Sequence, residues 1–318
     1  LYQVAMAGLS PADIATPIRS LMSHRKNVRV VCGAVDRIDG DRNVACTSVG
    51  EIAFDYVVLA CGAKHSYFGH EEWEPFAPGL KSLEQATEIR RRVLDAFEQA
   101  EVARDGETRR KLLTFVVVGG GPTGVELAGA IGEMSRFALA KDFRRINPGL
   151  ARIILIEAGP RILSSFPESL SNRATRDLEK LGVQVWVESL VTEIDGEGVV
   201  VSGDRIHAST VLWAAGVQAS SIGLRSGLSC DRVARISVGE DLSVPEHGRW
   251  FVAGDLAAFR AADGKPLPGV APVAIQQGRH IATMIGNDLN GKPRQPFRYH
   301  DKGHMATIGR SSAVAFTG

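Results

Sequence analysis

The 318-residue sequence has few cysteines and almost no net charge. Its four cysteines form no CxxC pair, so the sequence indicates neither a zinc site nor a redox-active dithiol. We expect them to be small, inert residues of the core. Lys and Arg total 37, Asp and Glu total 36, and the formal net charge is +1, which gives no general attraction to nucleic acid or to an anionic membrane. No nucleic-acid partner and no metal site are expected.

Long hydrophobic runs are missing as well. The longest stretch without Asp, Glu, Lys or Arg lies between Ile206 and Leu224, and His, Gln, Ser and Gly residues interrupt it. Such a stretch is a poor membrane-spanning helix, so no transmembrane segment is expected. An initiator Met and a signal peptide are also missing, because the sequence begins at Leu1 inside an apolar stretch. We therefore expect the natural N-terminus to lie outside this sequence.

The composition, 44% hydrophobic and 23% charged, is that of a globular protein, and the length suffices for two ordinary domains. Patterning in the first third predicts a helix over residues 12–23, strands over 28–35, 51–54 and 56–61, and a charged helix over 82–103. The polar stretch 104–110 that follows is a natural domain boundary.

The middle of the chain alternates between strands and helices. Apolar strands are predicted over 112–118, 151–156 and 183–187, with helices over 125–140 and 170–181 between them. A β-meander over 193–206 and a buried strand over 210–215 follow. The βαβαβ order is one mononucleotide-binding half of a doubly wound α/β fold.

A glycine-rich loop joins the first of these strands to the first helix. Gly119, Gly121 and Gly124 match the pattern GxGxxG, which is weak alone but gains weight from the strand before it and the helix after it. In this motif the first glycine makes a tight turn and the second lets the backbone approach a pyrophosphate. The third lets the helix pack closely on the strand. Because the helix N-terminus would face the phosphates, we predict that this loop binds a dinucleotide.

Glu157 ends the second apolar strand. It lies 33 residues after Gly124 (157 minus 124), further than the usual ~20, because the segment 141–150 lengthens the connection. A carboxylate at this place accepts hydrogen bonds from a ribose 2′-hydroxyl and repels a 2′-phosphate, which predicts a preference for NADH over NADPH. Arg161 nearby either accommodates such a phosphate or is only a charge that caps the next helix.

Glu126 lies just after the glycine loop, where the first helical turn is predicted. One interpretation is that its negative side chain only gains from the helix dipole. The other is catalytic, with the carboxylate near the nicotinamide end of the cofactor. The residues alone leave both interpretations open.

Three predicted strands end in the same way, with small residues followed by glycine. The glycines are Gly62, Gly216 and Gly254. Small residues at a strand end let the backbone lie against a flat ring or a pyrophosphate, so we predict that all three contact a bound cofactor. Asp255 follows the last of them, and its carboxylate either bonds a flavin ribityl hydroxyl or caps the next helical segment. The dinucleotide-binding pattern upstream favours the first role.

Several motifs together resemble one family, the type II NADH dehydrogenases. They are VVVGGGPTGVELAGAIGE (116–133), LIEAGPRIL (155–163), LWAAGV (212–217), FVAGDLA (251–257) and DKGHMATIGR (301–310), and the opening LYQVAMAGLSPADIATPIR (1–19) is similar to the family's stretch beside the flavin. The resemblance covers essentially the whole chain. It implies an α/β fold with a glutathione-reductase-like pair of Rossmann-type dinucleotide-binding domains. Residues 1–111 and 239–318 would form parts of the FAD-binding domain, which is incomplete, and 112–238 the inserted NADH-binding domain.

The resemblance also implies an activity. A type II NADH dehydrogenase is a FAD-dependent NADH:quinone oxidoreductase that pumps no protons: NADH reduces FAD by hydride transfer, and the flavin passes two electrons to a quinone. The implied cofactors are FAD and NADH. The implied partners are a quinone, a membrane surface reached through a C-terminal tail, and a second copy of the chain in a homodimer. The implied location is the cytoplasmic face of the cell membrane, as a peripheral protein.

Two regions of the family are missing from this sequence, the N-terminal FAD-binding βαβ unit and the C-terminal membrane-binding tail. We therefore expect the chain to be a fragment. A third departure is local, because the family's quinone-site motif AQ-x-A-x-Q corresponds to residues 271–276 with Pro272 in place of the first glutamine. Gln276 keeps the second glutamine. Its amide is predicted to bond a quinone carbonyl, with a helix-cap or backbone-bonding role as the alternative.

Two other functions stay open. One is an NADH-binding module without activity. The other is a related FAD-dependent NADH reductase that serves a ferredoxin, a disulfide or a sulfide. The missing dithiol argues against a disulfide or a sulfide as the acceptor.

Overall fold

The computed structural model describes residues 1–261 and 264–316. Its α-helices are α1 (Tyr2–Ala5), α2 (Pro11–Ile14), α3 (Ile18–Met22), α4 (Leu83–Val102), α5 (Gly106–Leu112), α6 (Pro122–Glu133), α7 (Glu168–Lys180), α8 (Ile222–Arg225) and α9 (Ala271–Leu289). Its strands are β1 (Val35–Asp39), β2 (Val44–Thr47), β3 (Gly50–Ala53), β4 (Val57–Leu59), β5 (Ala63–His65), β6 (Thr114–Val118), β7 (Arg152–Ile156), β8 (Val183–Trp186), β9 (Val191–Asp195), β10 (Gly198–Val201), β11 (Asp204–His207), β12 (Thr210–Trp213), β13 (Val217–Ala219), β14 (Ile236–Ser237), β15 (Ser243–Val244), β16 (His247–Val252), β17 (Ala257–Ala258), β18 (His304–Ile308) and β19 (Ser312–Phe316). A π-helical turn (Met134–Ala138) continues α6, and short 3-10 turns lie at Glu71–Trp73, Pro148–Leu150 and Gly254–Leu256.

These elements form two compact units. The first comprises Leu1–Pro17, His65–Gly216 and the described residues from Gly303 onward, and the second comprises Ile18–Lys64 and the described part of Val217–Lys302. The boundaries of these units follow which residues pack together, whereas the boundaries of the predicted domains follow which cofactor each domain would bind. The predicted domain assignment therefore stays a prediction.

The first unit is built around a four-stranded parallel sheet with the strand order β12-β6-β7-β8. Helices α6 and α7 lie between its consecutive strands, which confirms the predicted βαβαβ order and the α/β fold class. All five residues of β6 are buried, as expected for a parallel strand that is covered on both faces. This sheet places the carboxyl ends of β6, β7 and β12 at one edge.

Helix α4 begins where the sequence predicted it because a capping box fixes its first turn. The Ser82 hydroxyl accepts the backbone N–H of Gln85 (3.3 Å), and the Gln85 side-chain oxygen accepts the N–H of Ser82 (3.2 Å). On its buried face, the Phe97 ring packs on the Phe115 ring of β6, with centroids 5.2 Å apart. Helix α4 therefore joins the core of the parallel sheet.

Two antiparallel elements complete the first unit. Strands β9, β10 and β11 form the predicted meander, and Asp195 fixes its first turn by accepting the N–H groups of Glu197 (2.8 Å) and Gly198 (3.1 Å). Strands β18 and β19 form a hairpin that packs on α6 and α7. The hairpin thus lies beside the helix that follows the glycine loop.

The second unit combines small sheets with the long helix α9. Strands β15, β16 and β4 form one sheet, in which β4 runs parallel to β16, while β1, β2 and β3 form an antiparallel sheet. Phe251 of β16 belongs to a buried cluster with Ile281 and Met284 of α9. This packing fixes α9 beside the turn Gly254–Leu256 that follows β16.

One predicted helix is broken in two. The sequence predicted a single helix over 12–23, but α2 ends at Ile14 and α3 begins at Ile18. Pro17 explains the break, because proline has no N–H and its ring disfavours the helical conformation at the residue before it. The prediction was wrong about continuity and right about the helical start at Ser10, whose side chain caps α2.

Two further predictions in the second unit were wrong. The strand predicted over 28–35 begins only at Val35, where the ladder with β2 starts opposite Thr47. A strand needs a ladder partner. Ala34 still bonds Ser48, since its carbonyl oxygen accepts the Ser48 N–H (2.9 Å), but within the described residues the ladder between β1 and β2 does not extend before Val35. None of the four cysteines is fully buried. Cys32 and Cys61 are exposed, Cys46 is half-buried, and only the half-buried Cys230 packs against a core cluster.

No helix within residues 1–261 and 264–316 combines the length and the apolar character that crossing a membrane requires.

Candidate functional site

The glycine loop between β6 and α6 has the geometry that its motif predicts. At Gly119 φ is +107°, and a Cβ there would lie 2.6 Å from backbone atoms of Ala214 and Ala215, so only glycine fits. A Cβ on Gly124 would overlap the carbonyl oxygen of Gly119. Gly121 differs, because it is the extended N-cap of α6 and nothing lies within 4 Å of a Cβ built on it. The second glycine therefore faces open space at a helix N-terminus, where a pyrophosphate would approach.

Glu157 follows β7, and its carboxylate is bonded to the same loop. Oε2 accepts the N–H of Gly120 (2.6 Å), and Oε1 accepts the N–H of Gly159 (2.7 Å). Each oxygen of a half-buried carboxylate keeps a second lone pair, so the group can still accept a hydroxyl. The residue therefore lies beside the loop, as binding of the ribose requires, and its ribose-binding role stays a prediction.

Arg161 bonds its own loop. Its guanidinium donates to the carbonyl oxygens of Phe166 (2.8 Å) and Ser164 (2.8 Å). These carbonyls come shortly before α7, which begins at Glu168. The contacts therefore support a structural role in this loop rather than a charge held for a phosphate.

Glu126 is a half-buried acid in the second turn of α6. The first turn contains no acidic residue, so the helix-dipole interpretation is not favoured. Instead, its Oε1 accepts the hydroxyl of Thr307 (3.3 Å) and the N–H of Thr307 (3.5 Å), and the same hydroxyl lies 2.9 Å from the hydroxyl of Tyr2. Burial raises the pKa of Glu126, and the bonds from Thr307 oppose that shift. The catalytic role of Glu126 near the nicotinamide stays a prediction.

Gly216 follows β12 and touches protein atoms. A Cβ there would lie 2.6 Å from Cζ of Phe68 and 2.9 Å from the carbonyl oxygen of Ser66. Its own carbonyl oxygen accepts the N–H of Ser66 (3.2 Å). Local packing therefore already requires glycine here, and the predicted cofactor contact stays a prediction.

The second unit contains a cavity of about 180 Å³. Residues that line it include Gly254, Asp255 and Gln277. Gly254 has φ +70°, and its N–H donates to the side-chain oxygen of Gln277 (2.7 Å). Gln277 is fully buried, yet its Nε2 has no hydrogen-bond partner. Because buried polar groups in proteins are normally bonded, an unpartnered amide on a residue that lines a cavity is a candidate contact for a polar ligand.

The other residues predicted to contact a flavin lie at or next to this cavity. Gly62 has φ +65° with open space where a Cβ would be, and the next residue, Ala63, lines the cavity. Asp255 is inside the turn Gly254–Leu256, whose N-cap is Ala253. The capping alternative for Asp255 is therefore not what the structure has. The flavin-binding roles of Gly62, Gly254 and Asp255 stay predictions.

Gln276 does not line the cavity. Its amide bonds the backbone of one residue on both sides, since Nε2 donates to the carbonyl oxygen of His300 (2.9 Å) and Oε1 accepts the N–H of His300 (2.9 Å). The backbone-bonding alternative is thus present in the structure. The quinone-binding role of Gln276 stays a prediction.

Two residues of these sites were missed in the sequence. Gln277 lies four residues after Val273 and four before Ile281, all three buried on one face of α9, and this spacing was a usable signal. Thr307 lies in a motif that was noticed, but nothing local connects it to Glu126.

Side chains that often carry redox or metal chemistry are not grouped here. All four cysteines are free, and burial raises the pKa of Cys230. Among the described residues, no cluster of three or more His, Cys, Asp and Glu side chains is arranged to hold a metal ion.

Comparison with known sequences gives consistent relatives. Residues 1–278 match the model of the family described as pyridine nucleotide-disulphide oxidoreductase. The chain is 42% identical to the type II NADH:quinone oxidoreductase Ndh of Mycobacterium tuberculosis (strain ATCC 25618 / H37Rv), over 100% of this chain and 71% of that protein. It is 31% identical to the type II NADH:quinone oxidoreductase of Staphylococcus haemolyticus (strain JCSC1435), over 99% of this chain and 78% of that protein.

Solved structures share the fold. NDH2 from Plasmodium falciparum in complex with NADH aligns with a TM-score of 0.88 at 17% identity, covering 99% of this chain and 82% of that chain. A NAD-dependent persulfide reductase from A. fulgidus aligns with a TM-score of 0.76 at 21% identity, covering 100% of this chain and 55% of that chain. At these identities the likeness concerns the fold, and it agrees with the Rossmann-type architecture predicted from the sequence.

Proposed function

Because the chain belongs to the pyridine nucleotide-disulphide oxidoreductase family and, within it, to the type II NADH:quinone oxidoreductases, we propose that it transfers a hydride from NADH to FAD and two electrons onward to a quinone. One structural observation supports the NADH half most directly. Gly121 is open at the N-terminus of α6, while its two partner glycines are fixed by packing. That contrast is the one expected if the middle glycine alone meets a ligand.

The nucleotide site has three proposed parts. The backbone at Gly121 and the N-terminus of α6 receive the pyrophosphate. Glu157 accepts the adenine ribose hydroxyls and repels a 2′-phosphate, so NADH is preferred to NADPH. Glu126 holds a proton near the nicotinamide end, with its carboxylate oriented by the Thr307 hydroxyl.

We propose that the cavity of the second unit, about 180 Å³, receives part of a bound FAD. The unpartnered Nε2 of Gln277 can donate to an acceptor atom, and Asp255 can accept from a ribityl hydroxyl. Gly254 has φ +70°, which favours glycine, and a Cβ there would lie 3.3 Å from the Cβ of Ala274. When bound, FAD supplies the acceptor for the hydride and the donor for the quinone. The chain's own residues bind and orient the reactants.

Quinone reduction, location and assembly are proposed from the sequence resemblance. Gln276 is the proposed donor to a quinone carbonyl, in which case its amide leaves the His300 backbone that it bonds in this structure. A membrane surface at its cytoplasmic face and a second copy of the chain are the further proposed partners.

The nucleotide site is tested by Gly121→Val. The position is extended, with φ −71°, and has no neighbour within 4 Å of a Cβ, so the variant should melt at the wild-type temperature. A side chain there blocks the pyrophosphate, so NADH affinity should fall at least about ten-fold, which corresponds to ~1.4 kcal/mol. Gly106→Val at the start of α5 is the control, because it too has open space at its Cβ and should bind NADH normally. Wild-type affinity in Gly121→Val would exclude this loop as the pyrophosphate site.

The acceptor is tested by NADH oxidation in the presence of added FAD. A soluble quinone should support turnover, and ferredoxin or sulfide should not. NADH binding without turnover under any of these conditions would favour the inactive binding module instead.

A further inference from the structure

Phe68 has an unusual position for a large apolar residue. Its φ is +56°, in the left-handed region that bulky residues avoid, and 66% of the residue is exposed. Burial of the ring therefore does not compensate for the unfavourable backbone. Backbone strain of this kind clusters at active sites and ligand contacts in proteins.

Contacts with the end of β12 fix where the ring lies. The Ser66 N–H donates to the carbonyl oxygen of Gly216 (3.2 Å), Nε1 of Trp213 donates to the carbonyl oxygen of Ser66 (2.9 Å), and the Ser66 hydroxyl accepts the N–H of Phe68 (3.3 Å). The Phe68 ring meets the Trp213 ring edge-on, with centroids 6.1 Å apart. Its Cζ lies against Gly216, which has no side chain to displace it. The ring is therefore held at the carboxyl end of β12.

The strand order relates this position to the nucleotide site. Strand β12 lies beside β6, on the side opposite to β7. In the proposed function, Glu157 at the end of β7 binds the adenine ribose and the loop after β6 binds the pyrophosphate. The other end of the dinucleotide then extends along the same sheet edge toward β12. That is where Phe68 and Gly216 lie, within the first unit.

We propose that Phe68 is a positioning residue for NADH, with its ring packing against the nicotinamide riboside end of the dinucleotide. This inference rests on the proposed function and deepens it. Phe68 takes no part in proton or electron transfer. Its ring gives an apolar contact surface to the nicotinamide riboside, which lies too far from Glu157 to be bound by that carboxylate.

The test compares NADH with ADP, which contains the adenosine and the pyrophosphate but no nicotinamide riboside. Both are titrated calorimetrically into the wild-type chain, Phe68→Ala and Phe68→Leu. Phe68→Ala should bind NADH about two- to ten-fold more weakly, the range of one aromatic contact, and should bind ADP like the wild type. Phe68→Leu keeps an apolar side chain and should fall between them. The control is Phe137→Ala, which removes an equally exposed ring (64%) of the same unit from the turn Met134–Ala138.

The possible outcomes separate the inference from the function on which it rests. An unchanged NADH affinity in Phe68→Ala would overturn the inference alone. Equal losses for NADH and ADP, with a lower melting temperature, would make Phe68 a structural residue and would also overturn it. A wild-type chain that binds neither ligand would overturn the proposed function. A loss confined to NADH, and absent in Phe137→Ala, supports the inference.

Discussion

The substitution Glu157→Gln tests whether the carboxylate at the end of β7 binds the ribose. In the structure its two oxygens accept N–H groups of Gly120 (2.6 Å) and Gly159 (2.7 Å). A glutamine keeps one oxygen and replaces the other by an NH₂ group, so one of these N–H groups faces a donor. A hydrogen bond to a charged group contributes roughly 1.5 to 3 kcal/mol, which corresponds to about a ten- to hundred-fold change in affinity.

We expect the wild type to bind NADH at least about ten-fold more tightly than NADPH, because the carboxylate repels a 2′-phosphate. In Glu157→Gln the NADH affinity should fall by about ten- to hundred-fold, and the NADPH affinity should fall less because the repulsion is gone. Calorimetric titration of NADH and NADPH at one salt concentration measures the ratio of the two affinities in the wild type and in Glu157→Gln. Glu193→Gln, an exposed acid of the same unit, removes the same charge and should leave both affinities unchanged.

Two results would refute this reasoning. If the wild type bound NADPH as tightly as NADH, Glu157 would not distinguish the ribose. If Glu157→Gln lowered the melting temperature but kept both wild-type affinities, the carboxylate would serve only to accept the N–H groups of Gly120 and Gly159.

Three further predictions concern protonation and the quinone. Hydrogen bonds from Arg91 and then Arg92 lower the pKa of Glu88 to about 2, so Glu88→Gln should lower the melting temperature at neutral pH. The depressed pKa of Glu88 stabilises the folded state at pH values above the ordinary 4.5, and this stabilisation is lost as the pH falls toward about 2. The difference in melting temperature between Glu88→Gln and the wild type should therefore shrink over this range. A difference that did not change with pH would contradict the prediction. Thr307→Val removes the hydroxyl that donates to the Glu126 carboxylate, so the effect of burial is less opposed and the pKa of Glu126 should rise. Carbon-13 NMR of labelled glutamate, with the signal assigned by Glu126→Gln, measures this pKa. An unchanged pKa would show that Thr307 does not act on the acid. Gln276→Ala should slow quinone reduction about five-fold, the effect of one neutral hydrogen bond of roughly 1 kcal/mol, and leave flavin reduction by NADH intact in stopped-flow traces. Equal losses of rate in both half-reactions would show that Gln276 has only a structural role, through its hydrogen bonds to the His300 backbone.

The parts of the fold that the sequence predicted well depend on local signals. Strand β6 is a continuous apolar run, α4 begins at a capping box, and the loop between β6 and α6 carries its motif in six residues. The strand predicted over 28–35 depended on something that is not local. Val28 and Val31 have the residue type of a strand, but both are exposed and precede the ladder with β2. A partner strand, which no short sequence window contains, decides whether such a segment is extended.

The same distinction separates the nucleotide loop from Glu126. The three glycines could be assigned in advance because their roles follow from the turn itself. The environment of Glu126 could not, because its partner Thr307 is 181 positions away along the chain and Tyr2 is 305 positions from Thr307. The β18–β19 hairpin brings these segments together by packing on α6, and that packing depends on the whole first unit.

The two neighbouring glutamines of α9 show how a motif can identify a region and leave the side chain undecided. Successive residues of an α-helix point about 100° apart, so Gln276 and Gln277 face different surroundings. Gln277 shares the buried face of Val273, bonds the N–H of Gly254 and has an unpartnered Nε2, whereas Gln276 bonds the backbone of His300. Position in the family motif favours Gln276 for the quinone, and burial favours Gln277 for a group bound in the cavity. Both assignments hold together only if the helix presents one amide to the flavin and the other to the quinone. Gln277→Leu fills a similar space but removes both the unpartnered donor and the acceptor of the Gly254 N–H, so it should weaken retention of FAD. Gln276→Ala should leave retention of FAD unchanged.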